Sequence, residues 1–178
     1  MTTSIINAAR ARINGLEVEV SISPIKQLTL SGYYGLTDAK YLDFTQRTSA
    51  GAIQDLSANK FAGVPRNTAG GSVRWDIVES SALGDLQFNA DVRYSDGFQL
   101  QPLNLAGAYI ESFDVWNASL RLEKAFGTRM SLELFAKNLF DKSYGSGGFS
   151  STALGFAVKT LGEPRVVGVG LRIPFGDE

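Results

Sequence analysis

The chain has 178 residues, 44% of them hydrophobic, with 17 basic and 18 acidic side chains and a formal net charge of -1. That is enough for one folded domain or part of a larger one, and the balanced charge leaves no electrostatic footprint for nucleic acid. With neither cysteine nor histidine, the chain has no disulfide framework, no thiolate metal site and no imidazole base, so no cofactor is expected and most hydrolase and metalloenzyme mechanisms lack their usual parts.

The first residues, "MTTSIINAARAR", hold no apolar core long enough for a secretory signal, and strand pattern begins soon after them. No stretch reaches the roughly 18 apolar residues of a membrane helix, which leaves open a membrane strand of about 9 to 11 residues. Period-2 alternation then predicts strands near residues 16–23, 28–36, 69–78, 86–95, 115–123, 130–138 and 165–175. One face of these strands carries Leu16, Val18, Val20 and Ile22, then Leu28 to Leu36 at alternate positions, and so on to Val167, Val169, Leu171, Ile173 and Phe175. None of those 32 positions is charged, where a chain that is 20% charged would place about six by chance. The opposite face carries Glu17, Glu19, Arg74, Asp76, Asp91, Arg93, Arg121, Glu123, Glu133, Lys137 and Arg172.

A soluble β-sandwich shows the same alternation, with the apolar face turned inward. The connections separate the two. They run about 4, 32, 7, 19, 6 and 26 residues in order, whereas soluble domains seldom use structureless loops beyond about 12 to 15 residues. Short turns on one side and long loops on the other are the habit of outer-membrane barrels. With the last strand running down to the periplasm, Tyr34, Tyr94 and Trp116 fall near the outer ends of their strands and Trp75, Phe88 and Phe175 toward the inner ends. Two aromatic belts at two depths suit a lipid-facing surface.

The stretch "NLFDKSY" (Asn138, Leu139, Phe140, Asp141 to Tyr144), followed by "GEPR" with Gly162, Pro164 and Arg165 and a last strand "VVGVGLRIPF", resembles the ending of TonB-dependent outer-membrane receptors. "INGLEVEVSISPIKQLTLSGYYGLTDAKY" and "FAGVPRNTAGGSVRW" resemble the late barrel strands of the same family. The resemblance implies an all-β fold: an antiparallel transmembrane β-barrel of which residues 1–178 supply about seven strands, the C-terminal portion of a 22-stranded barrel. It implies a bacterial outer-membrane location, lipid as a partner, and uptake of a small-molecule nutrient such as a ferric siderophore. Met1 is then expected in or near an outer loop. A plug domain and TonB box are absent from the chain, so contact with the TonB complex would run through the missing N-terminal part. Phe175 is followed by Gly176, Asp177 and Glu178, a small offset from the family's aromatic end. A passive pore, a barrel completed by several chains, and a soluble sandwich module are the alternatives.

Three local patterns invite chemistry. Glu17 and Glu19 share a face, as paired carboxylates of glycosidases do, but read better as lumen-facing acids near arginines on adjacent strands. "GSGGFSST" from Gly145 to Thr152 lacks the Lys and helix of a phosphate loop and is expected to be a mobile outer loop. "NAS" at Asn117 is a glycosylation pattern in mid-strand and is expected to carry no meaning. Recognition belongs to the segments 37–68, 96–114 and 139–164, where Tyr41, Phe44, Phe61, Phe98, Tyr109, Phe113, Phe149 and Phe156 either contact a ligand or pack the loops against one another. In the closing hairpin, Asp141 is expected beside Arg165.

Overall fold

The computed structural model describes residues 10–48, 51–151 and 154–175. Its strands are β1 (Arg10–Ile25), β2 (Leu28–Asp43), β3 (Thr45–Arg47), β4 (Ile53–Asp55), β5 (Asn67–Ser81), β6 (Gly84–Ser95), β7 (Phe98–Gln99), β8 (Tyr109–Ile110), β9 (Phe113–Glu123), β10 (Ser131–Lys137), β11 (Gly145–Ser151), β12 (Phe156–Leu161) and β13 (Val166–Arg172). Seven of them form one sheet in the order β1-β2-β5-β6-β9-β10-β13, a meander in which every neighbouring pair is antiparallel. These are the seven alternating segments.

The register turns alternation into a surface. Ile25, Leu28, Trp75, Phe88, Leu120, Leu134 and Val169 are linked by successive cross-strand pairs, so one apolar row crosses all seven strands. A second row joins Val18, Tyr34, Ala69 and Tyr94, ending at Asp114. This face lies bare: Leu134 is 53% exposed and Val169 76%. A sandwich would cover such a face with a second sheet. Among the described residues no second layer packs on it, and the sandwich reading is set aside. A bare apolar sheet is stable where lipid covers it, because the ladder satisfies the backbone polar groups. Within the described residues β1 and β13 each pair on one side only, so the sheet is an open arc of wall.

The buried core sits elsewhere. Tyr41, Phe44 and Leu56 form one cluster with Phe61 and Leu103 against it; Ile110, Phe113 and Val115 form another with Phe98, Leu100 and Tyr144. Both join residues of the long connections to the ends of the adjoining strands, Tyr41 of β2 and Phe113 and Val115 of β9, at one end of the sheet, where each connection folds into its own ribbon: β3–β4, β7–β8 and β11–β12.

Four expectations need correction. The hairpin β1–β2 begins at Arg10 and ends at Asp43, so residues 37–43 are strand rather than loop, and Tyr34 lies mid-strand in β2. The apolar pattern stops at Leu16 and Leu36 because the outward positions above them are Asn14, Arg12, Asp38 and Lys40, polar residues that still pair in register. Secondly, Gly145–Ser151 is not a free loop but a strand paired with β12, with Phe149 opposite Val158; Thr152 lies outside the described residues, as do Met1 and residues 176–178. Thirdly, Glu17 and Glu19 stand opposite Gly35 and Tyr33, not arginines. Finally, a register shift between Asp76 and Val78 brings Val78 opposite Leu86, ending the simple alternation at Ile77.

On the inward face, aromatic rings lie against glycines: Tyr33 on Gly70, Phe135 on Gly168 and, at the closing hairpin, Tyr144 on Gly162. A Cβ at any of these glycines would collide with the ring.

Candidate functional site

The outer end of the sheet is organised around Asn138, the first residue after β10. It is 2% exposed and adopts a left-handed backbone, with φ of 46°, a conformation that asparagine tolerates better than most residues. Its Nδ2 donates to the carbonyls of Lys142 and Glu163, both at 2.9 Å, and its Oδ1 accepts the Lys142 N–H at 2.8 Å. The Asn138 N–H donates in turn to Asn117 Oδ1 at 3.0 Å. Asn117 also donates to Asp91 Oδ2 at 2.8 Å, so the residue of the sequon pattern ties β6 and β9 to the loop that follows β10. Asp141 stands at the same rim with φ of 54°, accepts the Arg165 N–H at 3.0 Å and lies 4.0 Å from its guanidinium. Tyr144 stacks on Phe113 at 4.7 Å, and the Gly162 N–H donates to its carbonyl at 2.8 Å. Leu139 donates its N–H to the Trp116 carbonyl at 2.7 Å, leaving Phe140 outside, edge-on to Trp116 at 6.0 Å. The short motif and the Gly-x-Pro-Arg turn thus meet in one clasp.

The loops above are braided. Asn104, left-handed with φ of 52°, accepts the Lys60 N–H at 2.7 Å and returns a bond to the Lys60 carbonyl at 3.0 Å. Asn59 donates to the Pro102 carbonyl at 2.7 Å, and Gln101 reaches the Ser150 carbonyl at 2.9 Å. Of the aromatics proposed for ligand contact, Tyr41 is buried at 8% exposure and stacked on Phe61 at 4.6 Å, and Phe98 packs on the Ile110 cluster. Tyr109 keeps a partly open ring under the Lys60 ammonium, 5.8 Å from its centroid. Phe149 is half exposed and meets Phe156 edge-on at 5.9 Å.

Below the clasp the inward face is polar. A cavity of about 470 Å³ is lined by Asp91, Arg93, Val115, Asn117, Lys137, Asn138, Tyr144 and Glu163. Arg93 lies over Phe113 at 5.7 Å, and Arg121 pairs with Glu133 at 3.1 Å. Such a lining holds both signs in fixed places, as the polar interior face of an outer-membrane barrel does. Among the described residues no cluster of acidic side chains is arranged to hold a metal.

On the outward face, each outer-belt aromatic hands its polar tip to a rim acceptor. Tyr34 donates to Asn67 Oδ1 at 2.6 Å, Tyr94 to Asp96 Oδ1 at 2.7 Å, and Trp116 to Asp114 Oδ2 at 2.7 Å. The hydrogen bond from Tyr94, with others from Asn67, holds the Asp96 carboxyl below the ordinary carboxylate range. Trp75 and Phe88 stand opposite each other nearer the short turns, and Phe175, almost fully exposed, follows β13. Sequence reasoning missed Asn67 and Asp96 and gave the mid-strand Asn117 no role; a lone Asn or Asp in a strand or at its end carries no period to betray it.

Comparison with known proteins agrees with this architecture. A model of the family described as TonB dependent receptor-like, beta-barrel, matches residues 1–139. The ferric-pyoverdine receptor PbuA of a Pseudomonas strain is 31% identical over 143 residues, 78% of this chain and 16% of that receptor. Among solved structures, the ferric yersiniabactin uptake receptor FyuA of Yersinia pestis superposes with a TM-score of 0.77 at 22% identity, over 93% of this chain and 24% of that one. The siderophore receptor PiuA of Acinetobacter baumannii gives 0.72 at 21% identity, over 90% and 21%. The chain therefore spans about a fifth of the length of the receptors it matches.

Proposed function

The chain belongs to the TonB-dependent receptor-like β-barrel family, and from that premise we propose that it forms a seven-strand arc of an outer-membrane receptor that takes up a ferric siderophore. The observation that carries this reading is the division of the sheet: a bare apolar face outside, a mixed-charge face inside, and both buried hydrophobic clusters gathered at the end with the braided loops. Its 31% identity to a ferric-pyoverdine receptor supports chelated iron as the cargo. We assign the arc to the C-terminal end of the barrel, because the clasp of Asn138 and Arg165 closes the hairpin β10–β13 with the family's ending motif. On this reading, neighbouring strands of the complete receptor pair with β1 and β13, and the plug and the contact with TonB lie outside the arc. Tyr109 and Phe149 present rings to the ligand, while Tyr41 and Phe98 hold the loops together.

The test is uptake of radiolabelled ferric pyoverdine by iron-starved cells carrying the complete receptor. Uptake should require TonB and fall at least tenfold in a Tyr109→Ala, Phe149→Ala variant with normal outer-membrane content. Uptake that is indifferent to TonB would overturn the receptor reading in favour of a passive pore.

A further inference from the structure

The ribbon β11–β12 is held on one side and open on the other. One of its faces rests on the neighbouring loop, where Gly107 lies against Ala157, and the outer edge of β11 is taken by Gln101, whose Nε2 donates to the Ser150 carbonyl at 2.9 Å. The outer edge of β12 has no such cover, and all six of its residues are exposed. In an antiparallel pair, successive residues turn their N–H and C=O groups alternately toward the partner and away from it. The Gly162 N–H donates to the Tyr144 carbonyl and the Ser146 hydroxyl donates to the Thr160 carbonyl, so Val158, Thr160 and Gly162 face the β11 side. Ala157, Lys159 and Leu161 therefore point their backbone groups outward, and among the described residues nothing donates to or accepts from them. Edge strands in water are usually blunted by charge, proline or a bulge. The β12 sequence FAVKTL has Lys159 as its one charge and no proline.

What lies along that edge follows from the path of the chain. β12 runs through Gly162 and Arg165 into β13, and this junction is stitched to the rising half of the hairpin by the Tyr144–Gly162, Asn138–Glu163 and Asp141–Arg165 bonds. β11 thus stands above β10 and β12 above β13, so the bare edge of the ribbon continues the bare edge of the wall. The first hairpin shows how tall strands of this wall grow: β1 and β2 have 16 residues each and stay paired beyond the last β2–β5 pair, Leu36 with Asn67. A strand of that length set against β13 from Arg172 upward ends opposite Ala157. We propose that the free edge of β12 is a strand-docking surface, occupied in the complete receptor by the outer extension of the strand that pairs with β13. The contact closes the seam beside β13 above the bilayer and pins the ribbon that carries Phe149. The inference rests on the barrel reading, because only a neighbour already paired with β13 arrives at that edge in register.

The experiment uses the complete receptor in outer membranes, with a benzophenone amino acid in place of Lys159 or, separately, of Val169 in β13. Photo-crosslinked peptides are then sequenced by mass spectrometry. Cross-strand neighbours lie about 4.5 to 5.5 Å apart, so both probes should capture one stretch of chain outside the arc, the Lys159 contact about ten residues nearer its outer end. Amide exchange on the unsubstituted receptor needs no variant: the Ala157 and Lys159 amides should exchange about 100-fold more slowly than in an unstructured peptide. Capture of that stretch by Val169 but not by Lys159, capture of a second receptor copy or another protein by Lys159, or unprotected amides at Ala157 and Lys159 would each overturn the proposal while leaving the barrel reading in place. If the Lys159 variant lacks the heat-modifiable migration of a folded barrel, the exchange rates of the unsubstituted receptor decide the matter. Failure of Val169, in a folded receptor, to capture any strand outside the arc would count against the barrel reading and take the proposal with it.

Discussion

The sheet and the loops of this chain are stabilised in opposite ways. The sheet exposes its apolar face and pairs its backbone, with side chains such as Leu134 and Val169 left for lipid to cover. The loops behave like a small soluble protein, with Leu56 and Ile110 at 1% exposure inside them. A membrane wall therefore needs no core of its own, provided its outward face and its ladder are continuous, whereas the part that rises into water must build one.

The sharpest way to break that contrast is a charge in the wall. Leu134→Arg, on the row that crosses all seven strands, should cost about 2 to 4 kcal/mol in a refolding titration of the complete barrel in vesicles. The same change at Phe149, exposed on a loop ribbon, should leave the titration unmoved. Next in size is Leu56→Ala, which empties the centre of the first loop cluster and should cost about 2 to 3 kcal/mol. That loss should appear as faster amide exchange within residues 41–61 while the strands keep their protection; exchange rising across the sheet would mean loops and wall are one cooperative unit.

At the boundary between the two regions, Asn138→Ala removes three side-chain hydrogen bonds from a buried position and should cost about 2 kcal/mol. Asn138→Gly keeps the left-handed backbone easy, so the difference between the variants isolates the part due to φ, about 1 kcal/mol. The smallest effect is electrostatic. Asp96 has a lowered carboxyl pKa in the folded protein, so its stabilising bonds are fully present above the ordinary value of 3.8 and are lost as pH falls below it. Opening of the rim around Asn67, read by amide exchange, should begin under that acid limb, and Asp96→Asn should flatten the dependence.

Most of the wall was legible in the sequence because a period of two survives in every strand, and because the connections alternate in length. The height of the β1–β2 hairpin was not, since Asn14 and Asp38 continue the strand while breaking its apolar face. The loop ribbons were hidden by their shortness and, in Gly145–Ser151, by glycine and serine, which favour turns as readily as strands. Of the eight loop aromatics, the sequence offered two fates without choosing. Burial assigns Tyr41, Phe44 and Phe113 to packing and leaves Phe149 and Phe156 exposed. The clasp at Asn138 was anticipated as a meeting of Asp141 with Arg165; Asn138 opens the family motif, but nothing in the sequence showed that it is buried at the centre of the clasp.

The rings of Tyr33 and Phe135, resting on Gly70 and Gly168, bear on clearance. Each aromatic occupies space that a side chain on the next strand would otherwise fill, so its bulk is stored within the thickness of the wall. Replacing either glycine, even by alanine, would force the ring away from the sheet on its inward side. How far the inward face projects here is thus governed by two residues that have no side chain at all.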